Sequence, residues 1–511
     1  MKYLQVDTDR DEKLSSNEVK QIETPIDFKS TTITLTEGAQ LFPPKSTAAQ
    51  YSLLRRQVAV LLCATSIFFD GINLSLSGPF FPEEAVKKGL TLTEIGWVTA
   101  SFDMTSLVSS FFVASCISPK NITFFYLVGV IWCAVSVATF GWSARATGAD
   151  SFFHLSLASR LVNGVGASLL QNTALPIAGR LFPQNMGMMT AIIHTSLGLG
   201  LVIGPSMGSL LIPIGGYEFP FLMTGLAEGV AFIAAIFIIP SKFVGGPLKS
   251  TFRTTEFVKF LVKPKVWIFI FPSLMLFSTT GFRDSAFALY FQDYLGLSQE
   301  DTGYAFMACS GAFFIAAPLY GILVGHGYGV YILLVAQATA WISMLLFYLP
   351  KWIDPFENTY YALGILAAIG FLASAVFNPH YLIVEKIALS EGYKNVQEIK
   401  TLAAGSYNLL SSSSRAIGAF LFGGLINEKI GFYNTCLCYC GILLVTGTIQ
   451  IVYFIHYKLV KRQFYGFEVV VKGPNEMSIE TDGVKEGQVS KTNIKNQILT
   501  SISRSYNLHQ M

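Results

Sequence analysis

Twelve apolar stretches divide this chain, and a basic loop separates the sixth from the seventh. The first covers residues 57–80, the second 95–116, the fourth 153–177 and the last 432–457. Each is long enough to cross a hydrocarbon core of about 30 Å as a helix of roughly 20 residues. In lipid every backbone polar group must be satisfied within its own segment, so helices are the expected form. The fold class is therefore an all-α polytopic membrane protein with twelve transmembrane helices.

Composition excludes several function classes. The chain is 52% hydrophobic and 13% charged, and the apolar content is gathered in membrane-length blocks rather than spread over soluble domains. A net charge of +3 is too small to suggest a nucleic-acid partner. The seven cysteines lie in or at the ends of apolar blocks, with no metal-ligand spacing and no disulfide framework. No nucleophile–base pair, phosphate loop or metal cluster stands out, so neither an enzyme nor a cofactor is expected.

Lysine and arginine placement sets the orientation. Arg55 and Arg56 precede the first span, and Lys458, Lys461 and Arg462 follow the last. Between spans six and seven lie Lys242, Lys249, Arg253, Lys259, Lys263 and Lys265 against one acid, Glu256. With twelve spans all three clusters fall on one side, which predicts cytoplasmic termini and a cytoplasmic middle loop. The expected organisation is a disordered cytoplasmic tail (1–55), a six-helix bundle (56–240), a cytoplasmic linker (241–265), a second six-helix bundle (266–457) and a cytoplasmic tail (458–511).

The two halves repeat. Gly89-Leu-Thr with Gly96-Trp97 opens span two, and Gly296-Leu-Ser with Gly303-Tyr304 opens span eight, 207 residues later. Gly208-Ser-Leu-Leu-Ile with Gly216-Tyr217 ends span five, and Gly423-Gly-Leu-Ile with Gly431-Phe432 ends span eleven, 215 residues later. Duplicated six-helix units of this kind build many secondary transporters, with the substrate site near the midplane between them.

Span five carries Gly200, Gly204 and Gly208 on one face, which lets a neighbouring backbone approach closely. Pro205 removes one helical hydrogen bond and permits a bend. This string resembles the Gly-Pro antiporter signature of the major facilitator superfamily. Arg160-Leu-Val-Asn163-Gly164-Val-Gly166 in span four resembles that superfamily's Arg-x-x-Gln-Gly-x-Gly motif. Gly78-Pro-Phe-Phe-Pro-Glu-Glu-Ala-Val-Lys-Lys-Gly89, Leu181-Phe-Pro183, Gly215-Gly-Tyr-Glu-Phe-Pro-Phe221, Ile417-Gly-Ala-Phe420 and Glu428-Lys-Ile-Gly-Phe432 look like the vesicular amine transporter family, most like its vesicular polyamine branch. The resemblance implies proton-coupled antiport of organic cations, amines or polyamines, by a multi-pass protein of a vesicle or plasma membrane. Its partners would be a small organic solute, protons and the lipid bilayer, and the unit a monomer. Two departures stand out. Cys116-Ile-Ser-Pro119-Lys120-Asn121, and later Gly321 to Gly327, lack the Asp-Arg pair of the superfamily's gating loop. Arg415 stands where the polyamine branch looks apolar.

Ionisable residues inside a membrane cost at least about 2.5–3.5 kcal/mol each, which makes them functional candidates. Asp70 in span one, Asp103 in span two, Glu228 in span six and Asp284 in span seven are the candidate substrate- and proton-binding acids. Arg160, Arg283 and Arg415 are the candidate charge partners. Asp70 and Asp284 come from different halves, so one substrate could bridge them. For Asp103, Glu228 and Arg283 an internal ion pair that fixes helix packing is the competing reading. His194 is expected to be a hydrogen-bonded packing residue, and His380 and Glu385 gate or surface residues. Tyr290, Tyr304, Tyr320 and Tyr407 could stack on an amine. Two rivals stay open: an exporter of drugs or anionic solutes using Arg160 and Arg415, and a non-transporting sensor that signals through its tails.

Overall fold

The computed structural model describes residues 51–118, 120–240, 254–351, 358–393 and 396–461. Lys242, Lys249, Arg253, Arg462 and the greater part of both tails lie outside the described residues. Among the described residues the chain forms helices without strands. The first half comprises α1 (Leu53–Lys87), α2 (Leu92–Cys116), α3 (Ile122–Trp142), α4 (Ala149–Leu181), α5 (Met186–Gly215) and α6 (Glu218–Ile238). A short linker helix, Thr254–Leu261, follows. The second half comprises α7 (Pro264–Asp293), α8 (Gln299–Gly325), α9 (Gly329–Tyr348), α10 (Thr359–Ser390), α11 (Val396–Ile417, continuing to Ile430) and α12 (Phe432–Lys461).

Ten of these twelve helices are long and apolar enough to cross a membrane by composition alone. The two that fall short are α2 and α4. They carry Ser101, Asp103, Ser106, Ser159, Arg160 and Asn163, all buried inside the protein. Their polar side chains face other helices rather than lipid, which is where a bundle tolerates them. Helix α1 runs past the expected end at Phe80 and continues through Pro79 and Pro82 to Lys87.

The internal repeat proves to be a repeated helix boundary. Gly89 (φ 89°) and Gly296 (φ 63°) take the left-handed conformation just before α2 and α8. Thr91 and Ser298 then cap those helices, accepting from the backbone N–H of Glu94 and Asp301. The Glu94 and Asp301 carboxylates accept in return from the cap residues, at 2.8 Å from the Thr91 N–H and 2.7 Å from the Ser298 hydroxyl. Gly216 (φ 76°) and Gly431 (φ 78°) likewise end α5 and α11.

Each half has its own apolar core. Phe81, Phe140, Phe152 and Phe221 are buried among α1, α3, α4 and α6. Phe282, Phe287, Phe432 and Tyr439 form the aromatic centre of the second half. The expected glycine face of α5 packs on α1: a Cβ on Gly200 would run into the Phe68 carbonyl, and one on Gly208 into the Phe80 ring. The second half repeats this arrangement, with Gly281 of α7 against the Arg415 carbonyl and Gly418 of α11 against that of Ser278.

At the end where α1 runs into α2 the halves are closed on each other. A Cβ on Gly96 would lie 2.8 Å from the Ala419 carbonyl oxygen of α11, and one on Gly303 would lie 3.0 Å from the Pro205 carbonyl oxygen of α5. These are the two glycines of the first sequence repeat. The Thr93 N–H donates to Glu428 at 2.7 Å, Gln292 to Glu83 at 2.6 Å, and the Ser209 hydroxyl to the Glu300 carbonyl at 2.7 Å. At the opposite end the basic residues tie helices within each half. Arg55 donates to the carbonyls of Ile238 and Phe237, Arg56 donates to that of Leu181, and Glu391 accepts Lys263 and Lys265, each at 2.6 Å. Arg55 and Arg56 thereby meet the negative ends of α6 and α4.

Candidate functional site: buried charges between the helices

The seven candidate charges separate into two groups. The first spans the halves. Arg415 of α11 donates through Nε to both oxygens of Asp103 on α2, at 3.2 and 3.3 Å. Its Nη2 lies 3.1 Å from Asp284 Oδ2 of α7, close enough for an ion pair. That oxygen makes no hydrogen bond, so the contact is coulombic rather than directional. Arg283 Nε donates to the other oxygen of Asp284 at 2.8 Å. The four side chains form the sequence Arg283–Asp284–Arg415–Asp103, in which positive and negative charges alternate and sum to zero. All four are buried or nearly so, and the Arg415 side chain is 12% exposed.

Local backbone explains the juxtaposition. Helix α7 widens into a π-turn over Arg283–Phe287, and α11 does so over Gly418–Ile426. Such turns shift the register of the side chains on either side and are frequent at functional sites. Gly281 and Gly418 let α7 and α11 touch backbone to backbone, which brings the helix carrying Arg415 against the one carrying Asp284. Gly78 of α1 also approaches: a Cβ there would lie 3.0 Å from Asp284 Oδ1.

The second group lies within the first half. Asp70 is 1% exposed. Gln171 of α4 donates to its Oδ2 at 2.8 Å, while Oδ1 has no partner. Gln171 itself is exposed, so Asp70 sits just beneath an accessible surface. One turn along α1, Asn73 Nδ2 donates to Glu228 Oε2 of α6 at 3.3 Å. Glu228 has no exposed surface, and its Oε1 is unpartnered. Among the described residues Arg160 forms no ion pair. It donates to the Asn73 carbonyl at 3.4 Å and lies 4.4 Å from the Phe140 ring centroid, with Nε unpartnered.

The structure therefore brings Asp103, Asp284, Arg283 and Arg415 into contact; among the described residues Asp70, Glu228 and Arg160 make no ion pair with that network, although Arg160 lies within electrostatic reach of Asp103, Asp284 and Arg415. Gln171 and Asn73 are partners that the sequence did not single out. The available signal was the spacing of Arg160 and Gln171, three helical turns apart on one face of α4. His194 is exposed rather than packed, and His380 is buried with Nε2 unpartnered rather than at a surface. Tyr290 stacks on Phe432 at 4.3 Å in the apolar core, whereas Tyr304 is exposed. Tyr407 is half-buried against Phe377 at 4.2 Å, and Phe377 stacks on Phe277 at 5.1 Å. Among the described residues no cluster suited to a metal ion occurs, and no cysteine is in a disulfide.

Residues 63–419 match the model of the Major Facilitator Superfamily. The chain belongs to that superfamily. Among curated proteins, this superfamily member is 27% identical over 387 residues to the human MFS-type transporter SLC18B1, covering 74% of the chain and 82% of the relative. The mouse counterpart is 26% identical over 384 residues, with the same coverage. The quinolone resistance protein NorA of Staphylococcus aureus is 23% identical over 391 residues, covering 74% of the chain and 92% of that protein. In structure the chain is similar to a bacterial homologue of the human lysosomal transporter Spinster, inward-facing and unoccupied, with TM-score 0.59 and 14% identity over 82% of this chain and 98% of that one. The nucleoside transporter NupG gives TM-score 0.61 and 12% identity, covering 78% of this chain and 99% of NupG. These likenesses give the fold of a multi-pass membrane transporter with two six-helix repeats.

Proposed function

We propose that this protein exchanges protons for small organic cations, amines or polyamines, by alternating access between its halves. The observation that carries this reading is Asp70. It is a buried carboxylate with one free oxygen, an exposed neutral partner in Gln171 and no base beside it among the described residues. A lone charge at that depth is costly, so a proton or a cation must neutralise it. An ammonium group and a proton then compete for the same Oδ1. The half-buried, tilted pair of Phe377 and Tyr407 offers aromatic faces on which such a cation can rest. The closed contacts at the α1–α2 end and the neutral Asp103–Arg415 link between halves supply elements that must part when the site opens the other way. Cytoplasmic termini, the division at 241–265 and a vesicle or plasma-membrane location belong to the same proposal.

The test is pH-gradient-driven uptake of spermine and serotonin into proteoliposomes. Asp70→Asn keeps the side-chain shape and cannot ionise. It should abolish gradient-driven uptake while leaving the protein folded. Wild-type-like uptake by this variant would reject the role of Asp70.

Arg160 favours a second reading, transport of an anionic solute, because it is a buried base with no acid in ion-pair contact among the described residues. The other base this reading requires, Arg415, is already held by Asp103 and Asp284. Uptake of organic anions that survives Asp70→Asn and fails in Arg160→Gln would favour the anion.

A further inference from the structure

Asn73 and Glu228 are joined by one hydrogen bond and leave two acceptors orphaned. Asn73 Nδ2 donates to Glu228 Oε2 at 3.3 Å. The remaining oxygen of each group, Asn73 Oδ1 and Glu228 Oε1, is buried without a partner. An ionised carboxylate only accepts hydrogen bonds, as does an amide oxygen, so these two atoms cannot satisfy each other. One proton on Oε1 changes this. The acid O–H becomes a donor, and an acid and an amide side by side can close a ring of two hydrogen bonds: amide N–H to Oε2, and acid O–H to Oδ1.

The surroundings argue for a proton rather than any other counter-charge. Among the described residues, the titratable groups in electrostatic reach of Glu228 are Asp70 on α1 and Tyr126 and Cys133 on α3. None of them is a base. Arg160 on α4 is turned to the Asn73 carbonyl and the Phe140 ring. In this conformation Glu228 has no exposed surface for a substrate cation to touch. Asn73 lies one turn from Asp70 on the same helix, so whatever fixes Asn73 also fixes the turn that carries Asp70.

We infer that Glu228 holds a bound proton on Oε1, shared with Asn73 Oδ1, and that the resulting acid–amide ring positions the α1 turn bearing Asp70. Glu228 is then a positioning residue and Asp70 the exchanging one. The consequence for transport rests on the proposed role of Asp70, but the proton site itself does not depend on the substrate.

The experiment is infrared difference spectroscopy of the full-length protein in lipid nanodiscs at neutral pH, without substrate. Wild type minus Glu228→Gln should show a carboxylic-acid carbonyl band that moves to lower frequency in heavy water. Asn73→Val should shift that band to higher frequency, because the acid O–H loses its acceptor. Asp70→Asn should leave it in place. Absence of an acid band in the Glu228→Gln difference would overturn the bound proton. A band that Asn73→Val does not move would overturn the ring. Glu228→Gln preserves the shape and both hydrogen bonds of the protonated acid, so it should fold; were it to misfold, the Asn73→Val shift tests the ring alone. If the band behaves as expected while Asp70→Asn still transports, the transport reading fails and this inference stands.

Discussion

Removing Arg415 should harm the protein more than removing Asp103, and removing both should harm it less than removing Arg415 alone. Arg415 Nε lies 3.2 Å from Asp103, and Nη2 lies 3.1 Å from Asp284. At an effective dielectric constant of about 20, a unit charge pair at that separation is worth roughly 5 kcal/mol before desolvation is subtracted. Arg415→Gln leaves Asp103 buried with no base in contact, and breaking a buried pair in this way costs about 3–5 kcal/mol. Asp103→Asn leaves Arg415 beside Asp284, so every remaining charge still touches an opposite one. Its cost should be nearer the roughly 1–3 kcal/mol of an unsatisfied buried hydrogen-bonding group. The double variant restores neutrality, because Arg283 and Asp284 still pair and two amides face each other across α2 and α11. The coupling energy should be about 1–3 kcal/mol in the direction of rescue. Reversible unfolding of the four purified proteins in the same detergent provides the cycle. Additive losses, or an Asp103→Asn variant as unstable as Arg415→Gln, would refute the argument that the pair is a buried link between halves.

Gly200→Val should destabilise the protein by about 2–3 kcal/mol, read as a lowered unfolding midpoint, since a Cβ there meets the Phe68 backbone carbonyl rather than a movable side chain. Lys120→Ala should change uptake only modestly, because Lys120 is exposed in a loop that lacks the Asp-Arg pair; loss of transport by a folded, correctly targeted variant would restore a gating role to that loop. Lys263 and Lys265 hold the Glu391 carboxyl below its usual value near 4.5. A lowered folded-state value makes this contribution complete above about pH 4.5 and lost as pH falls through the lowered value. Measured against the intrinsic exchange rate at each pH, hydrogen-exchange protection at the α10 end should therefore fall on acidification below that point in the wild type but not in Glu391→Gln, and an identical change in protection in the two proteins would count against the clamp.

The sequence by itself determined the architecture. Membrane-length apolar blocks, the glycine face of α5 and the duplicated Gly-Leu-Thr and Gly-Leu-Ser starts are local patterns. Local patterns dictate local structure: helix length, caps and left-handed glycines follow from the residues at those positions. The same patterns identified which charges are buried, since an acid or base inside an apolar block has few other places to go. Tertiary structure decided how those charges are used. Asp103 and Arg415 lie 312 residues apart. Nothing in either span says that a π-turn in α11 and close glycine contacts with α2 and α7 will bring them together. Nor does the sequence show that Asp284 is shared by two arginines while Asp70 meets Gln171. Pairing of buried charges depends on the rotation and depth of neighbouring helices, and those are set by packing between segments that no window along the chain contains.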